Sequence, residues 1–385
     1  MSITAAKGYV AGGLACGIKE SGDPDLALVA TDDRAPVSAA AVFTSNLAQA
    51  APVQISRAHL ADGRAAAVVL SSGNANAATG EAGRRDARRM CELTAEGLHA
   101  VTADVLVCST GLIGIPMPMA ALEAGIPKLC GALTVGGGAD AAQAMLTTDT
   151  VRKEATAPVG SAIVGGMAKG AAMLSPAMAT MLAVLTTDAA ADPAILQQSL
   201  ARAVSETFDC LSVDGCRSTN DTVMVLANGR AGAVDPTPLT DALTAVCGSL
   251  AEQMARDAEG ATKLVWVRVV GARSAGEARV AARAVANSQL VQCSLNGGDA
   301  YWGRVLSELG ASGAYIDPER VDISYNGISV CRDGIACEHD APALATQMAG
   351  REIEVLCDLH VAHGQATVLT TDLSHAYIDE NRRTS

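Results

Sequence analysis

The stretch "GGMAKGAAMLSPAMATML", residues 165–182, holds one charged side chain, Lys169, and from Gly170 to Thr187 the chain has none. Near its end Thr180 stands behind Ala179. A threonine hydroxyl is a weak nucleophile unless a base lies beside it. One base is always at hand if the chain is cut before the threonine, namely the new α-amine. Its pKa of about 7.7–8.0 lets much of it accept a proton at neutral pH. Judged alone, such a threonine is more often a strand or core residue, so the chemistry needs support from the rest of the chain.

Other chemistries lack a local signature. There is no GxSxG elbow and no GxxxxGK loop, and "VGGGAD" at 135–140 does not follow a dinucleotide-binding pattern. No local pattern recommends a Ser-His-Asp triad. The eleven cysteines are odd in number, scattered and without a CxxC pair, which reads as reduced thiols of a cytosolic protein. No HExxH occurs among the six histidines. His360 and His363 lie in strand-like sequence, where side chains three apart point to opposite faces, so no shared metal is expected.

The elements that must position these residues alternate in type. "AAAVVLSSGNANAATG" runs from a buried strand into a Gly/Asn turn and then a polar helix around Arg84–Leu98, and "DVLVCSTGLIG" is a second strand ending at Ser109-Thr110-Gly111. Both turns could offer backbone N–H groups to a ligand, or be plain connections. "MLAVLTTDA" after Thr180 reads as a strand, and Asp192-Pro193 opens a helix with Leu196, Leu200, Ala203, Val204 and Phe208 on one face. "TVMVLANG" is a strand, Thr237-Pro238 opens a helix running out at "RDAEGATK", and "KLVWVRVVGA" is a strand again. Ser274 to Glu277 has the form of a capping box. Asn326-Gly327 marks a hairpin, and a second is expected near Gly364. The fold class is α/β with layered sheets.

Length and charge narrow the partners. A chain of 385 residues buries a core without staples. A net charge of −13 argues against nucleic acid and anionic membranes and favours small molecules. "GYVAGGLACGI" makes a poor signal peptide, and the uncharged stretch from Gly170 makes a poor membrane span, with Pro176 and many small residues.

The chain as a whole resembles the ornithine acetyltransferase family, the arginine-biosynthesis enzymes also called glutamate N-acetyltransferases. The motifs that carry the likeness run almost end to end: "SGNANAATG", "CSTGLIG", "MLTTDT", "GGMAKGAAM", "PAMATMLAVLTTDA", "STNDT", "DAEGATK", "YWGRV" and "TTDLSHAYIDEN". The resemblance implies a layered α-β-β-α, self-processing N-terminal-nucleophile fold of the ornithine acetyltransferase and aminopeptidase kind. It implies cleavage between Ala179 and Thr180 into an α chain, 1–179, and a β chain, 180–385, which stay together as an α2β2 heterotetramer or a larger assembly in the cytoplasm.

Thr180 would then be the nucleophile of a ping-pong reaction, taking the acetyl group of N-acetylornithine and passing it to glutamate. Thr110 and Gly111 match the family's oxyanion hole. Thr147, Lys169, Thr180, Glu259, Asn381 and Ser385 match its substrate contacts, with lysine suited to a carboxylate and glutamate to an ammonium. No metal or cofactor is implied, and acetyl-CoA enters only as an alternative donor. Outside this likeness, Lys169 would read as a snorkelling surface lysine and Glu259 as a solvated charge at a helix end. Three departures stand out: Ala172 in place of the usual glycine, "DAYWGR" for "DPNWGR", and a short tail that leaves Ser385 and Thr384 competing for one role. The alternatives are an aminopeptidase or amidase of the same fold and a catalytically silent assembly protein.

Overall fold

A computed structural model describes residues 3–173 and 181–382. Ala179, Thr180, Thr384 and Ser385 lie outside the described residues. The chain divides into two compact units: residues 3–173, 181–209 and 216–254 form the first, and 210–215 with 255–382 form the second.

In chain order the first unit has β1 (Tyr9–Leu14), β2 (Leu26–Thr31), β3 (Val37–Phe43), α1 (Ala51–His59), β4 (Arg64–Ala65), β5 (Ala67–Asn74), α2 (Gly80–Leu98) and β6 (Val105–Leu112). It continues with α3 (Met119–Ala132), α4 (Gly138–Ala144), β7 (Lys153–Val159), β8 (Ala162–Lys169), β9 (Leu182–Ala190), α5 (Pro193–Glu206), β10 (Thr222–Ala233) and α6 (Pro236–Arg256). One sheet has the order β1-β2-β5-β6 and the other β4-β3-β10-β9-β8-β7. Their facing sides share one apolar core, which includes Tyr9, Val29, Leu70 and Leu106 from the first sheet and Met167, Val184 and Leu226 from the second.

Helices cover both outer faces. Met90, Leu122 and Ile126 from α2 and α3 pack with Leu28, Val69 and Val107 of the first sheet. On the second sheet Gly166 leaves room for Val246 and Leu250 of α6, since a Cβ there would lie 2.8 Å from Val246. The layering is therefore α-β-β-α, as expected. β9 is buried along eight of its nine residues, because strands flank it on both edges and packed layers lie on both faces. That is why its sequence opens with a continuous apolar run, Leu182–Leu185, rather than an alternation. The parallel pairs β5–β6 and β9–β10 need crossovers, and α2 and α5 supply them.

The second unit holds β11 (Leu264–Ala272), α7 (Ala275–Asn287), α8 (Gln289–Asn296), α9 (Trp302–Ala311), β12 (Asp322–Tyr325), β13 (Ile328–Arg332), β14 (Ile335–Ala336), α10 (Ala341–Ala349), β15 (Glu352–Asp358), β16 (Gly364–Thr371) and α11 (His375–Asn381). Its sheet order is β14-β13-β12-β15-β11-β16. Val265, Val267 and Val269 of β11 share a core with Ala278, Ala282 and Val285 of α7.

The expected hairpin at Asn326-Gly327 is present, with both residues at positive φ, +46° and +80°. The expected hairpin near Gly364 is not. β15 and β16 follow one another in sequence, yet β11 lies between them, parallel to β15 and antiparallel to β16. β11, a largely apolar strand, is flanked on both edges, so the chain reverses near Gly364 without pairing β15 with β16. His360 and His363 consequently sit in the connection rather than on a strand. At the helix starts, Ser274 accepts the Glu277 N–H at 3.2 Å, while the Glu277 carboxylate turns to the Tyr315 N–H, so only half of the capping box forms. α6 begins at Pro236, one residue before Thr237. Among the described residues no helix is long and apolar enough to cross a membrane.

Candidate active site

β6 ends in the first group of matched residues. Thr110 is 1% exposed and Gly111 has a φ of +133°, a backbone conformation that side chains resist. A Cβ at Gly111 would stand 2.3 Å from the Gly73 carbonyl carbon, so this crossing of the β5 and β6 ends requires glycine.

Lys169, the last residue of β8, reaches the same place. It is 2% exposed, and its Nζ donates to the Thr110 Oγ1 at 3.3 Å. A hydroxyl that accepts one hydrogen bond keeps its own proton to donate. Lys169 thus fixes Thr110 as a donor. The snorkelling reading of Lys169 fails because β8 lies inside a six-stranded sheet and carries the ammonium into the core region rather than to solvent.

Asp149 ties this lysine to Thr147. Its carboxylate takes Lys153 Nζ at 2.6 Å, the Gly170 N–H at 2.7 Å and the Thr147 N–H at 3.2 Å, and stands 4.0 Å from Lys169 Nζ. Burial pushes the Asp149 carboxyl up, but Lys169, Lys153 and the Gly170 N–H outweigh it and hold it below its ordinary value. A buried charge survives only with such partners. The β7–β8 hairpin brings them together, since Lys153 pairs with Ala168 beside Lys169. Ala172 does not have a positive φ, whereas Met173 does, at +54°. The departure from glycine at 172 therefore carries no backbone strain.

The second unit builds a site of opposite sign. Glu259 lies just beyond α6, is 8% exposed, and accepts from Asn381 Nδ2 at 2.7 Å. Asn381 also donates to the Tyr377 carbonyl within α11 at 3.0 Å. Gly260 has a φ of +63°, and a Cβ there would meet the Tyr377 nitrogen at 2.3 Å, so glycine lets the loop approach α11. Asp372, 5% exposed, pins the following residues by accepting from the Thr262 N–H, the Thr262 hydroxyl, the Lys263 N–H and Asn296 Nδ2, all at 2.6–2.8 Å. Ser374 Oγ donates to the Gly260 carbonyl at 2.6 Å. Glu259 is a held, buried carboxylate, not a solvated helix end.

The structure therefore gathers Thr110, Gly111, Thr147 and Lys169 in the first unit, and Glu259 with Asn381 in the second. Asp149, Lys153 and Asp372 escaped the sequence reading, although Asp149 and Asp372 stand inside the quoted "MLTTDT" and "TTDLSHAYIDEN". A carboxylate next to threonines in such a motif was the available signal. Among the described residues no group of His, Cys, Asp and Glu is arranged to hold a metal ion.

A model of the ArgJ family matches residues 10–384. The chain belongs to the ArgJ family. It is 46% identical to the arginine biosynthesis bifunctional protein ArgJ of Mycobacterium leprae over 392 residues, 98% of this chain and 94% of that protein. It is 45% identical to the ArgJ protein of Thermobifida fusca, with 99% of each chain covered. The crystal structure of ArgJ from Bacillus halodurans is 33% identical, with a TM-score of 0.49, and the match covers 51% of this chain and 95% of that one. ArgJ proteins are acyltransferases of arginine biosynthesis, and this chain is an enzyme of that kind.

Proposed function

We propose that the chain moves an acetyl group from N-acetylornithine to glutamate through an acetyl-Thr180 intermediate, after cleaving itself between Ala179 and Thr180. The observation that carries the mechanism is the buried Lys169–Thr110 contact at the end of β6, beside Gly111, where no side chain fits. Thr180 Oγ attacks the acetyl carbonyl and gives its proton to its own α-amine. The oxyanion that forms takes hydrogen bonds at Thr110 and Gly111. The C–N bond breaks as ornithine leaves with the proton, and the α-amine of glutamate then attacks the ester, returning the proton to Thr180 Oγ.

Lys169 and Thr147 suit a substrate carboxylate, and Glu259 with Asn381 suits an ammonium. Ser385 completes the substrate contacts in this reading, with Thr384 as the other tail candidate. The acetyl group arrives on the substrate, so no cofactor is called for, and the bifunctional names of the relatives favour acetyl-CoA as a second donor. The α chain, 1–179, and the β chain, 180–385, remain associated as a cytoplasmic α2β2 heterotetramer or larger assembly.

Denaturing electrophoresis with N-terminal sequencing should give two chains, one starting at Thr180. An intact chain with full activity would sink the mechanism. Thr180→Ala should abolish both cleavage and transfer. Mass spectrometry after mixing with N-acetylornithine should find one acetyl group on the β chain. Hydrolysis of N-acetylornithine that glutamate does not accelerate would instead indicate an amidase.

A further inference from the structure

One of the buried acids that the mechanism does not use has an oxygen left over. Asp221, in the "STNDT" segment before β10, is fully buried. Its Oδ1 accepts the Met181 N–H at 3.0 Å, and its Oδ2 has no hydrogen-bond partner of good geometry among the described residues. A buried polar atom left unsatisfied is destabilising, so its persistence asks for a reason. Met181 is the residue after Thr180.

The neighbours of Asp221 point to the same place. The Thr222 N–H donates to the Met181 carbonyl at 3.2 Å, so both backbone groups of Met181 are tied to the start of β10. Asn220 donates from Nδ2 to the Ser109 carbonyl at 2.8 Å and to the Ala75 carbonyl at 2.6 Å. Ser109 immediately precedes Thr110. Three consecutive residues, Asn220, Asp221 and Thr222, thus connect the strand end carrying Thr110 to the chain just past the cleavage junction. The segment is itself fixed, for Thr44 donates its N–H to the Asp221 carbonyl and its hydroxyl to the Ser218 carbonyl, each at 2.9 Å.

We propose that Asp221 is a positioning residue for the reactive chain end: Oδ1 holds residue 181 in register with Thr110, and Oδ2 is reserved for a hydrogen bond to the group that reacts next to it. This rests on the Thr180 reading above. Burial drives the Asp221 carboxyl well above the ordinary carboxylate range, and Asp209 adds to this, against the pull of the Met181 N–H, Ser218 and the Lys169 charge. Burial thus favours the neutral acid, the form that can serve as a hydrogen-bond donor without giving up its proton. No bond is made or broken at Asp221.

A neutral acid has a close mimic in an amide, which separates this role from that of a charged base. In the full chain, Asp221→Ala should slow cleavage at Ala179–Thr180, and kcat in the cleaved fraction, by about 100-fold, the usual penalty for a reacting group misplaced by an ångström, with the KM for N-acetylornithine within threefold of wild type. Asp221→Asn keeps an acceptor oxygen and a neutral donor, so it should restore both rates to within about tenfold of wild type. Asp221→Asn as impaired as Asp221→Ala, or Asp221→Ala cleaved and turning over like wild type, would overturn the proposal. If Asp221→Ala does not fold, Asp221→Asn alone decides, since an isosteric amide that folds yet loses 100-fold activity also overturns it. Wild-type cleavage and the Thr180→Ala control, run alongside, report on the Thr180 reading separately.

Discussion

Lys169 and Glu259 carry opposite charges and both are buried, yet the two units hold them by different means. Lys169 ends a strand inside a sheet and lives among ions, with Asp149 bridging it to Lys153. Glu259 stands on a loop and takes an amide, Asn381, as its partner, while the carboxylate of Asp372 pins the loop through backbone and hydroxyl donors. In the first unit geometry depends on charge balance. In the second it depends on hydrogen-bond placement, which leaves the charge of Glu259 available to a cation. The first arrangement suits stabilisation of a developing anion, where donors must not move, and the second suits recognition of an ammonium that comes and goes.

The sharpest break in this comparison is Asp149→Asn. It removes the carboxylate that bridges Lys153 and Lys169, and loss of one partner of a buried ion pair costs about 3–5 kcal/mol. Denaturant unfolding should show that loss. The native pKa of Asp149 lies below its unfolded value of about 3.9, so its contribution is complete above that value and disappears as pH falls through the native one. The stability gap between wild type and variant should therefore close on acidification below pH 4 and stay constant from about pH 5 to 7. A gap that is absent at pH 7 would show that the first unit does not depend on charge.

Next in size is Thr110→Val, which removes the hydroxyl that Lys169 orients. Loss of one oxyanion donor typically lowers turnover by about 10²–10³. The expected effect lies in kcat, with the KM for N-acetylornithine nearly constant. Glu259→Gln should do the reverse. A hydrogen bond to a charged group is worth about 1.5–3 kcal/mol, so the KM for the substrate bearing the free ammonium should rise about 10- to 100-fold with little change in kcat. Equal losses in kcat for both variants would erase the division between the two sites.

Much of this arrangement was legible in the sequence, and what was not has a common cause. The α/β class with layered sheets followed from alternating apolar strands and capped helices, because those patterns are local, and the α-β-β-α order followed from the family likeness. The Asn326-Gly327 turn was legible for the same reason. The place of β11 between β15 and β16 was not, since a turn reports that the chain reverses but not which strand fills the gap. Thr110, Thr147, Lys169, Glu259 and Asn381 could be named from motif likeness, yet nothing local showed that Lys169 and Glu259 are buried. Asp149 and Lys153 are four residues apart in sequence without sharing a helix, and only the β7–β8 register sets them beside Lys169. Side chains joined by long-range pairing stayed hidden even where each belonged to a recognisable motif.

The smallest effect is expected where the same chemical change is made at the other hub. Asp372→Asn keeps an acceptor oxygen for the Thr262 and Lys263 N–H groups, and the Thr262 hydroxyl can turn to accept from the new amide. Only the contact with Asn296 Nδ2 becomes donor against donor, and an amide flip of Asn296 relieves it. The loop carrying Glu259 should keep its place, with stability reduced by about 1 kcal/mol, the worth of one ordinary hydrogen bond, and the KM for N-acetylornithine raised no more than about fivefold. Measured beside Asp149→Asn by denaturant unfolding at pH 7, this is the most direct reading of the contrast. One carboxylate is needed for its charge and the other for the positions of its oxygens, so equal destabilisation by the two variants would mean that charge, not placement, also governs the Glu259 site.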